Sequence, residues 1–358
     1  MARIALMSSW NAACGVSVHA ELIGREFIRQ GHELKVFAPL TYEDDHTYLW
    51  FNLDEEFVTR NFSFLRYGNR YKDEKLLSFL YLDPSFAEED FDFFIVEKPT
   101  SIPLNKLLPL FNKIKKRART IAIMHEGLVP ENPYFFKFDW DSIVVFDERY
   151  KEVFSEIFPR ENIHIVPFPC YMPEKKDKKE ARRALNLGIN GSVIFTYGRF
   201  YFLRDVLALL NDIHEEYNIR YICMVRNIKR YIELSELMKR FRFLDVRLSR
   251  FPIFSDEFHN FVFSADCVLF YRKPALHNPV SSSAHICLGF LRPLLCPDNE
   301  FFYTFKNEVI KYRRIEEIKK IIIDIIENEE YIRKTIKAAS DYTMRNSADR
   351  IAKKILNL

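Results

Sequence analysis

Three consecutive serines, Ser281, Ser282 and Ser283, precede a mostly apolar stretch in "NPVSSSAHICLGFLRPLLCPD" (278–298). Small hydroxyl residues at the start of a helix favour anion binding, because the first helical turn leaves backbone N–H groups without partners. The serine turn itself contains no acid or base. It therefore predicts a site that holds an anionic group rather than one that transfers a proton to it.

Two arginines follow another turn, in "FTYGRFYFLRD" (195–205). Arg199 comes directly after Gly198 at the end of a predicted strand, and Arg204 enters a predicted helix. Two guanidinium groups at the carboxyl end of a strand can clamp a diphosphate by charge-assisted, partly bidentate hydrogen bonds. The alternative for either arginine is a surface ion pair, which is the usual role of this residue.

A loop of small residues separates the first predicted strand from a helix in "SSWNAACGVSVHAELIGREF" (8–27). Gly15 permits close approach of a ligand to the backbone, and a helix N-terminus attracts negative charge. The dinucleotide fingerprint G-x-G-x-x-G is absent. A tight turn in which His19 makes a core hydrogen bond is therefore an alternative to a ligand site.

The cysteines and acids show no metal-site pattern. The six cysteines are scattered without a C-x-x-C pair, which predicts neither a zinc site nor a disulfide framework and fits reduced, cytoplasmic thiols. No His, Cys and Asp cluster has metal-ligand spacing, and Asp90 and Asp92 of "EEDFDFF" lead into a strand. We therefore expect that the protein needs no metal ion.

Strands alternate with helices along the chain. Ten predicted strands cover 3–8, 32–39, 92–97, 119–127, 142–148, 192–199, 220–226, 244–251, 265–272 and 292–298. This alternation predicts an α/β class with two parallel, doubly wound sheets, joined by a linker at 170–183. Ligands of such sheets bind outside the carboxyl ends of the strands, so the expected site is a cleft between two domains. Residues 40–90 give no clear element pattern.

Length and composition limit the function classes. A chain of 358 residues suits two domains, and 48% hydrophobic residues support sizeable cores. A net charge of +3 does not indicate a nucleic-acid binder. Neither a signal peptide nor an apolar run long enough to span a membrane is found, so a cytoplasmic location is expected. The single glutamine, with abundant Lys, Arg, Glu and Ile, is typical of thermophilic proteins.

A basic, partly apolar segment at 107–120 has two interpretations. It contains "NKIKKRART" (112–120) next to several leucines. Such a segment can dock on anionic lipid head groups, which would place the protein at the inner face of the membrane. A charge run is more often a solvated face, and both readings stay open.

Six motifs in order resemble the retaining GT-B-fold glycosyltransferases of family 4 (glycosyl transferases group 1). The motifs are "WNAACGVSVH" with "GHELKVFAP", "ENIHIVPFPC", "KEARRALNLG", "TYGRFYFLRD", "FSADCVLFYRK" and "NPVSSSAHICLGFLRPLLCPD". The resemblance implies two Rossmann-like domains facing each other across a deep cleft, an acceptor-side domain at 1–170 and a nucleotide-sugar domain at 171–341. A C-terminal helix at about 342–358 would pack back on the first domain.

The resemblance also implies a reaction and its residues. A hexose would pass from a UDP- or GDP-linked donor to a saccharide, lipid-linked or other acceptor, with retention of configuration and without a cofactor. The leaving phosphate would help to deprotonate the acceptor. His125 in "IAIMHEG" would face the sugar, unless it is a structural turn histidine, and His19 would lie on the acceptor side. Arg199 and Arg204 would complete the catalytic set. Donor-binding residues would be Gly15, Val16, Gly198, Arg250, Phe251, Ile253, Asn278, Pro279, Val280, Ser281, Ser282, Ser283 and Ile286.

The chain departs from the family at both motif carboxylates. Asn278 and Ile286 occupy the positions of the two glutamates of E-x7-E, which contact the donor sugar and the ribose in the family. Arg204 replaces a lysine, and Phe168-Pro169 replaces Asn-Gly at the domain join. These losses keep open a non-catalytic nucleotide-sugar or glycan-binding protein on the same fold. A nucleic-acid-modifying glycosyltransferase is a third possibility, although a nucleic-acid partner is not expected.

Overall fold

The structure is a computed structural model that describes residues 1–40, 54–65, 77–188, 190–198, 204–249, 252–275 and 277–358. Within these residues the chain alternates strands and helices. The strands are β1 (Arg3–Met7), β2 (Glu33–Pro39), β3 (Val58–Phe62), β4 (Phe93–Glu97), β5 (Arg119–Ile123), β6 (Ser142–Val145), β7 (Ile163–Ile165), β8 (Val193–Tyr197), β9 (Arg220–Val225), β10 (Leu244–Leu248), β11 (Cys267–Leu269), β12 (Leu294–Pro297) and β13 (Ile310–Tyr312).

The helices of the described residues lie between these strands and after them. They are α1 (Gly15–Arg29), α2 (Leu104–Lys115), α3 (Glu148–Phe154), α4 (Lys178–Ala184), α5 (Arg204–Tyr217), α6 (Ile228–Met238), α7 (Asp256–Ser264), α8 (Ser282–Leu288), α9 (Glu317–Glu327), α10 (Glu329–Arg345) and α11 (Ala348–Leu356).

Two separate parallel sheets form. The described strands of the first sheet have the order β3-β2-β1-β4-β5-β6-β7, and those of the second have the order β10-β9-β8-β11-β12-β13. The central strands are almost wholly apolar and buried, as in β8, because helices cover both faces of a doubly wound sheet. In each sheet the strand order reverses direction beside the first strand, β1 or β8, which is where such sheets bind ligands. The predicted α/β class with two doubly wound sheets is confirmed.

The contacts divide the chain into two compact units. Unit 1 comprises 1–169, 276–280 and 348–358, and unit 2 comprises 170–275 and 281–347. This division differs from the predicted one in two places. The chain returns to unit 1 at 348 rather than 342, because α10 belongs to unit 2 and α11 packs on α1. Residues 277–280 contact unit 1 through the loops after β5 and β6, as described below.

Local sequence explains where the elements begin. Helix α1 begins at Gly15, because the Cys14 Sγ accepts a hydrogen bond from the Ser17 N–H and caps the helix. The predicted linker 170–183 includes most of helix α4. Asp177 caps α4 through the N–H groups of Lys179 and Glu180, and the sequence "KKEARRA" favours helix. Among the described residues, no helix has both the length and the hydrophobicity needed to cross a membrane.

Candidate functional site

The predicted anion turn is the start of α8 in unit 2. Ser281 is the N-cap residue, and its Oγ accepts a hydrogen bond from the Ala284 N–H at 3.3 Å. Ser282 and Ser283 form the first turn and are half-buried. The prediction of a helix opened by serines is confirmed, and the free N–H groups of that turn are suited to an anion.

Gly198 lies directly against this turn. It follows β8 with a φ of +93°, and a Cβ at this position would come within 2.5 Å of the Ser283 Oγ. Both the left-handed backbone and the close approach require glycine. The carboxyl end of β8 and the start of α8 therefore meet in unit 2, where a doubly wound sheet binds phosphate.

The other predicted residues of unit 2 have different outcomes. Arg204 is the first residue of α5 and is exposed. Ile253 is only 1% exposed, so its side chain packs inside the unit. Arg199, Arg250 and Phe251 lie outside the described residues, and their predicted roles stay predictions.

Ile286, at the position of the ribose glutamate, belongs to the core. It lies in the last part of the apolar run of α8 and is 1% exposed. An aliphatic side chain buried in this way accepts no hydrogen bond from a ribose. Any polar contact to a ribose must come from another group.

The segment 278–280 contacts the loops of unit 1. Asn278 forms an antiparallel bridge with Gly127, the Arg149 guanidinium approaches the Pro279 carbonyl at 3.5 Å, and Pro279 is buried. A Cβ on Gly127 would lie 2.7 Å from the Asn278 Cβ, so the bridge depends on glycine there. Asp147 caps α3, because its side chain accepts a hydrogen bond from the Arg149 N–H.

The loop before α1 is held by a polar network. The Trp10 Nε1–H donates to Glu55 at 3.0 Å, and the Asn11 amide donates to Asp54 and Glu55. Asn11 adopts a φ of +51°, which asparagine tolerates well. This network fixes the approach to Gly15 and Val16, the half-buried first residues of α1.

His19, Glu97 and His125 form a buried cluster in unit 1. The Glu97 Oε1 contacts the His19 Nδ1 at 2.7 Å, and the Glu97 Oε2 contacts the His125 Nε2 at 2.5 Å. The side chains of His19, Glu97 and His125 are 1%, 0% and 8% exposed. Burial raises the pKa of the Glu97 carboxyl, but electrostatic attraction to His19 and the hydrogen bonds with both imidazoles outweigh it and lower the pKa to about 2.

Glu97 is not among the predicted site residues. Its signal was an acid that ends the apolar strand "DFFIVE", at the edge of the sheet where ligands bind. His19, predicted on the acceptor side, is buried against the rings of Phe146 and Phe168. Its burial gives no support to an acceptor contact and agrees with the alternative of a core hydrogen bond.

Two imidazoles and a carboxylate are also a donor set for a transition metal, and the three ligand atoms lie within 4.8 Å of one another. The N–O separations of 2.7 and 2.5 Å are hydrogen-bond distances. An ion at about 2.0–2.2 Å from each ligand would separate the nitrogen and oxygen atoms further. The cluster is therefore best described as a carboxylate shared by two imidazoles.

A small cavity opens beside His125. It is lined by Lys98, His125, Glu126, Leu128, Phe135 and Phe154 among others. The Lys98 Nζ donates to the Glu126 Oε1 at 2.8 Å. The cavity thus combines an ion pair, an imidazole and apolar rings at the carboxyl ends of β4 and β5.

The segment 107–120 offers little apolar surface to a membrane. Leu107, Phe111 and Ile114 of α2 are buried in the core of unit 1. Lys113 pairs with Glu88, and Lys115 pairs with Asp139 at 2.6 Å. Membrane contact through this segment stays a prediction.

Solved structures of glycosyltransferases share this architecture. HepE of Anabaena, in complex with UDP and glucose, matches with a TM-score of 0.67 and 12% identity over 100% of this chain and 99% of its own. Sucrose-phosphate synthase of Thermosynechococcus elongatus matches at 0.64 and 12%, over 100% and 98%. A glycosyltransferase of Rickettsia africae matches at 0.66 and 10%, over 99% and 97%.

The chain has the GT-B fold. The similarity extends over both units. No family model matches the chain.

Proposed function

We propose that the protein is a glycosyltransferase that transfers a hexose from a UDP-sugar to an acceptor with retention of configuration. The observation that carries the proposal is the serine-capped start of α8 packed against Gly198. This contact brings a helix start to the carboxyl end of β8, and there it forms the proposed phosphate seat. HepE, with the same fold, binds UDP-glucose, which favours a uridine nucleotide as the donor carrier.

In this proposal the protein stabilises negative charge on the donor, and its own side chains transfer no proton. The N–H groups of the Ser281–Ser283 turn and the Arg204 guanidinium stabilise the negative charge that develops on the diphosphate as the sugar leaves. Arg199 adds a second cation in the proposed mechanism. The leaving phosphate oxygen takes the proton of the acceptor hydroxyl, so the seat needs no acid or base of its own.

The same reasoning proposes a metal-independent reaction. Arginines and backbone N–H groups supply the positive charge that divalent ions supply in other phosphate-transfer sites. We expect transfer and nucleotide binding to be unchanged after dialysis against EDTA. Loss of activity on chelation, with recovery on adding one divalent ion, would contradict this part of the proposal.

The experiment that tests the function is a thermal-shift screen of UDP- and GDP-sugars, followed by measurement of hydrolysis of the best ligand. Because Asn278 and Ile286 replace two carboxylates, the donor loses one charge-assisted contact to its sugar and one to its ribose, and we expect nucleotide dissociation constants nearer millimolar than micromolar. Stabilisation by a nucleotide sugar together with its slow hydrolysis supports the enzyme. A wild-type protein that no nucleotide sugar stabilises at millimolar concentration contradicts it.

A second candidate is a non-catalytic nucleotide-sugar-binding protein on the same fold. The observation that favours it is the state of the two motif positions: Asn278 bridges Gly127, and Ile286 is buried. Binding of a nucleotide sugar without hydrolysis, and without transfer to any of a panel of saccharide and lipid-linked acceptors, would favour this candidate.

A further inference from the structure

The buried carboxylate of Glu97 dictates which nitrogen of each neighbouring imidazole carries a hydrogen. A carboxylate only accepts hydrogen bonds, and its two oxygens face the His19 Nδ1 and the His125 Nε2. Both of these nitrogens must therefore be protonated. The contacts with Glu97 do not determine whether the other nitrogen of each ring, the His19 Nε2 and the His125 Nδ1, carries a hydrogen.

The surroundings of His125 favour its neutral form. Burial lowers the pKa of His125, and the nearby His19 and Lys98 lower it further, while Glu97 opposes them. Glu126 also lies close but is paired with Lys98. A neutral His125 with hydrogen on Nε2 has a lone pair on Nδ1. Among the described residues no hydrogen bond reaches this nitrogen.

The three residues of the cluster differ in their exposure to solvent. His19 and Glu97 are closed off, and the His19 Nε2 is buried without a hydrogen-bond partner in the described residues. His125 keeps 8% of its side chain exposed and lines the cavity beside Lys98 and Glu126. Among the three residues of the cluster, His125 is therefore the most exposed and the one that lines a cavity.

We propose that Glu97 is a positioning residue that presents the His125 Nδ1 as a hydrogen-bond acceptor to a hydroxyl of the transferred sugar, with His19 holding the second oxygen of Glu97 in place. The inference rests on the proposed function for its ligand. Glu97 contacts His19 of α1 as well as His125 after β5, so it also links helix α1 to the histidine that is proposed to bind the sugar.

The assignment of the proton is tested on the wild-type protein without any ligand. Long-range 1H–15N correlation spectra of 15N-labelled protein at pH 7 distinguish a protonated from an unprotonated imidazole nitrogen. We expect an unprotonated Nδ1 and a protonated Nε2 for His125. A hydrogen on the His125 Nδ1, in either the other neutral tautomer or the imidazolium, would overturn the inference.

The role toward sugar is tested by Glu97→Leu, which removes the acceptor of both imidazoles at similar volume. We expect the dissociation constant of UDP-glucose to rise about tenfold and that of UDP to stay unchanged, since one hydrogen bond to the sugar is lost. Glu33→Gln, at an exposed acid that begins β2, is the control and should change neither constant. If Glu97→Leu does not fold, Glu97→Gln replaces it. A Glu97→Gln variant that keeps the hydrogen on the His125 Nε2 should keep its affinity for UDP-glucose, and a variant in which the hydrogen moves to Nδ1 should lose affinity.

The outcomes separate the two proposals. Equal UDP-glucose affinity in wild type and a folded Glu97→Leu variant would reject the positioning role, whereas a parallel loss of UDP affinity would indicate a merely structural role. If wild type binds neither UDP nor UDP-glucose, the proposed function fails, and the inference about the sugar fails with it. The spectra still decide the tautomer in that case.

Discussion

At the residue scale, Arg204 is the described cation closest in sequence to the phosphate seat. It begins α5 and is exposed. We expect Arg204→Ala to weaken UDP binding about tenfold, because a charge-assisted hydrogen bond to phosphate contributes ~1.5 kcal/mol or more. Isothermal titration measures the change.

Arg220 provides the matched control for Arg204. It is also exposed, but it begins β9 and therefore lies at the amino ends of the strands. Arg220→Ala should leave UDP affinity unchanged. An equal effect of both substitutions would mean that Arg204 acts only through the net charge of the protein.

A second residue-scale prediction concerns Glu21 on α1. It is 1% exposed and accepts a hydrogen bond from the Ser17 Oγ at 2.7 Å. Burial raises the pKa of Glu21 from its ordinary value of 4.5 to about 7. A raised carboxyl pKa gives stability that is full below pH 4.5 and is lost as the pH rises through 7.

Glu21→Gln should remove the loss of stability that occurs as the pH rises through 7. The amide still accepts from Ser17 but carries no charge to bury, so the variant should be more stable than wild type at pH 8 by roughly 1–3 kcal/mol, and about equal to it at pH 4.5. Urea unfolding at the two pH values measures the difference. Glu33→Gln, at an exposed position, should show no pH-dependent difference. A gain for Glu21→Gln that is independent of pH would show that ionisation of Glu21 is not its cause.

At the element scale, two glycines that follow helices distinguish the cost of a steric clash from the cost of backbone strain. Gly289 follows α8 with ordinary helical φ, but a Cβ there would lie 1.6 Å from the Tyr171 carbonyl oxygen. Gly31 after α1 has the opposite character, with a φ of +83° and nothing within 4 Å of its Cβ position.

We expect Gly289→Ala to cost about 3 kcal/mol or more in the free energy of unfolding, because the backbone of Tyr171 must move. Gly31→Ala should cost only about 1 kcal/mol, the strain of a left-handed alanine. Chemical denaturation measures both. A smaller cost at Gly289 than at Gly31 would contradict the packing of residue 171 against this turn.

The sequence pattern predicted every central strand of the two sheets but only one of their four edge strands, β10. All ten predicted strands form, within a few residues of their predicted ends. The three that were missed, β3, β7 and β13, are all edge strands. Edge strands are short or half-solvated, and β7 and β13 have three residues each, too few to show a periodic pattern.

At the scale of the whole molecule, the chain returns to its first unit at its end. Helix α11 packs on α1, and Ile351, Ala352 and Ile355 face the core. Asp349 adds an ion pair with Arg29 at 2.8 Å. Residues more than 300 positions apart thus share one core, and the stability of unit 1 depends on the last eleven residues of the chain.

Ile355→Ala should therefore destabilise unit 1. Ile355 is 0% exposed, and the loss of a buried isoleucine side chain costs about 2–5 kcal/mol. Met344→Ala removes an apolar side chain that is 46% exposed at the end of α10 and should cost much less. Unfolding followed by calorimetry compares the two. Equal and small costs would mean that α11 contributes little to the core of unit 1.

The sequence by itself determined the alternation of strands and helices, the division into two doubly wound sheets and the position of the anion turn. These features are local: an apolar strand, a capped helix start and a glycine turn are each specified by fewer than about 20 neighbouring residues. The order of such motifs along the chain was enough to indicate GT-B.

Only the tertiary structure decided which polar groups meet. Glu97 lies 78 residues from His19 and 28 from His125, and none of the three stands in a recognisable spacing. They come together because β4 pairs with both β1 and β5, so that the carboxyl ends of distant strands meet at one edge of the sheet. Likewise, only packing shows that Ile286 is buried and that Gly127 admits Asn278. Pairing between strands is set by the whole core, which no local pattern encodes.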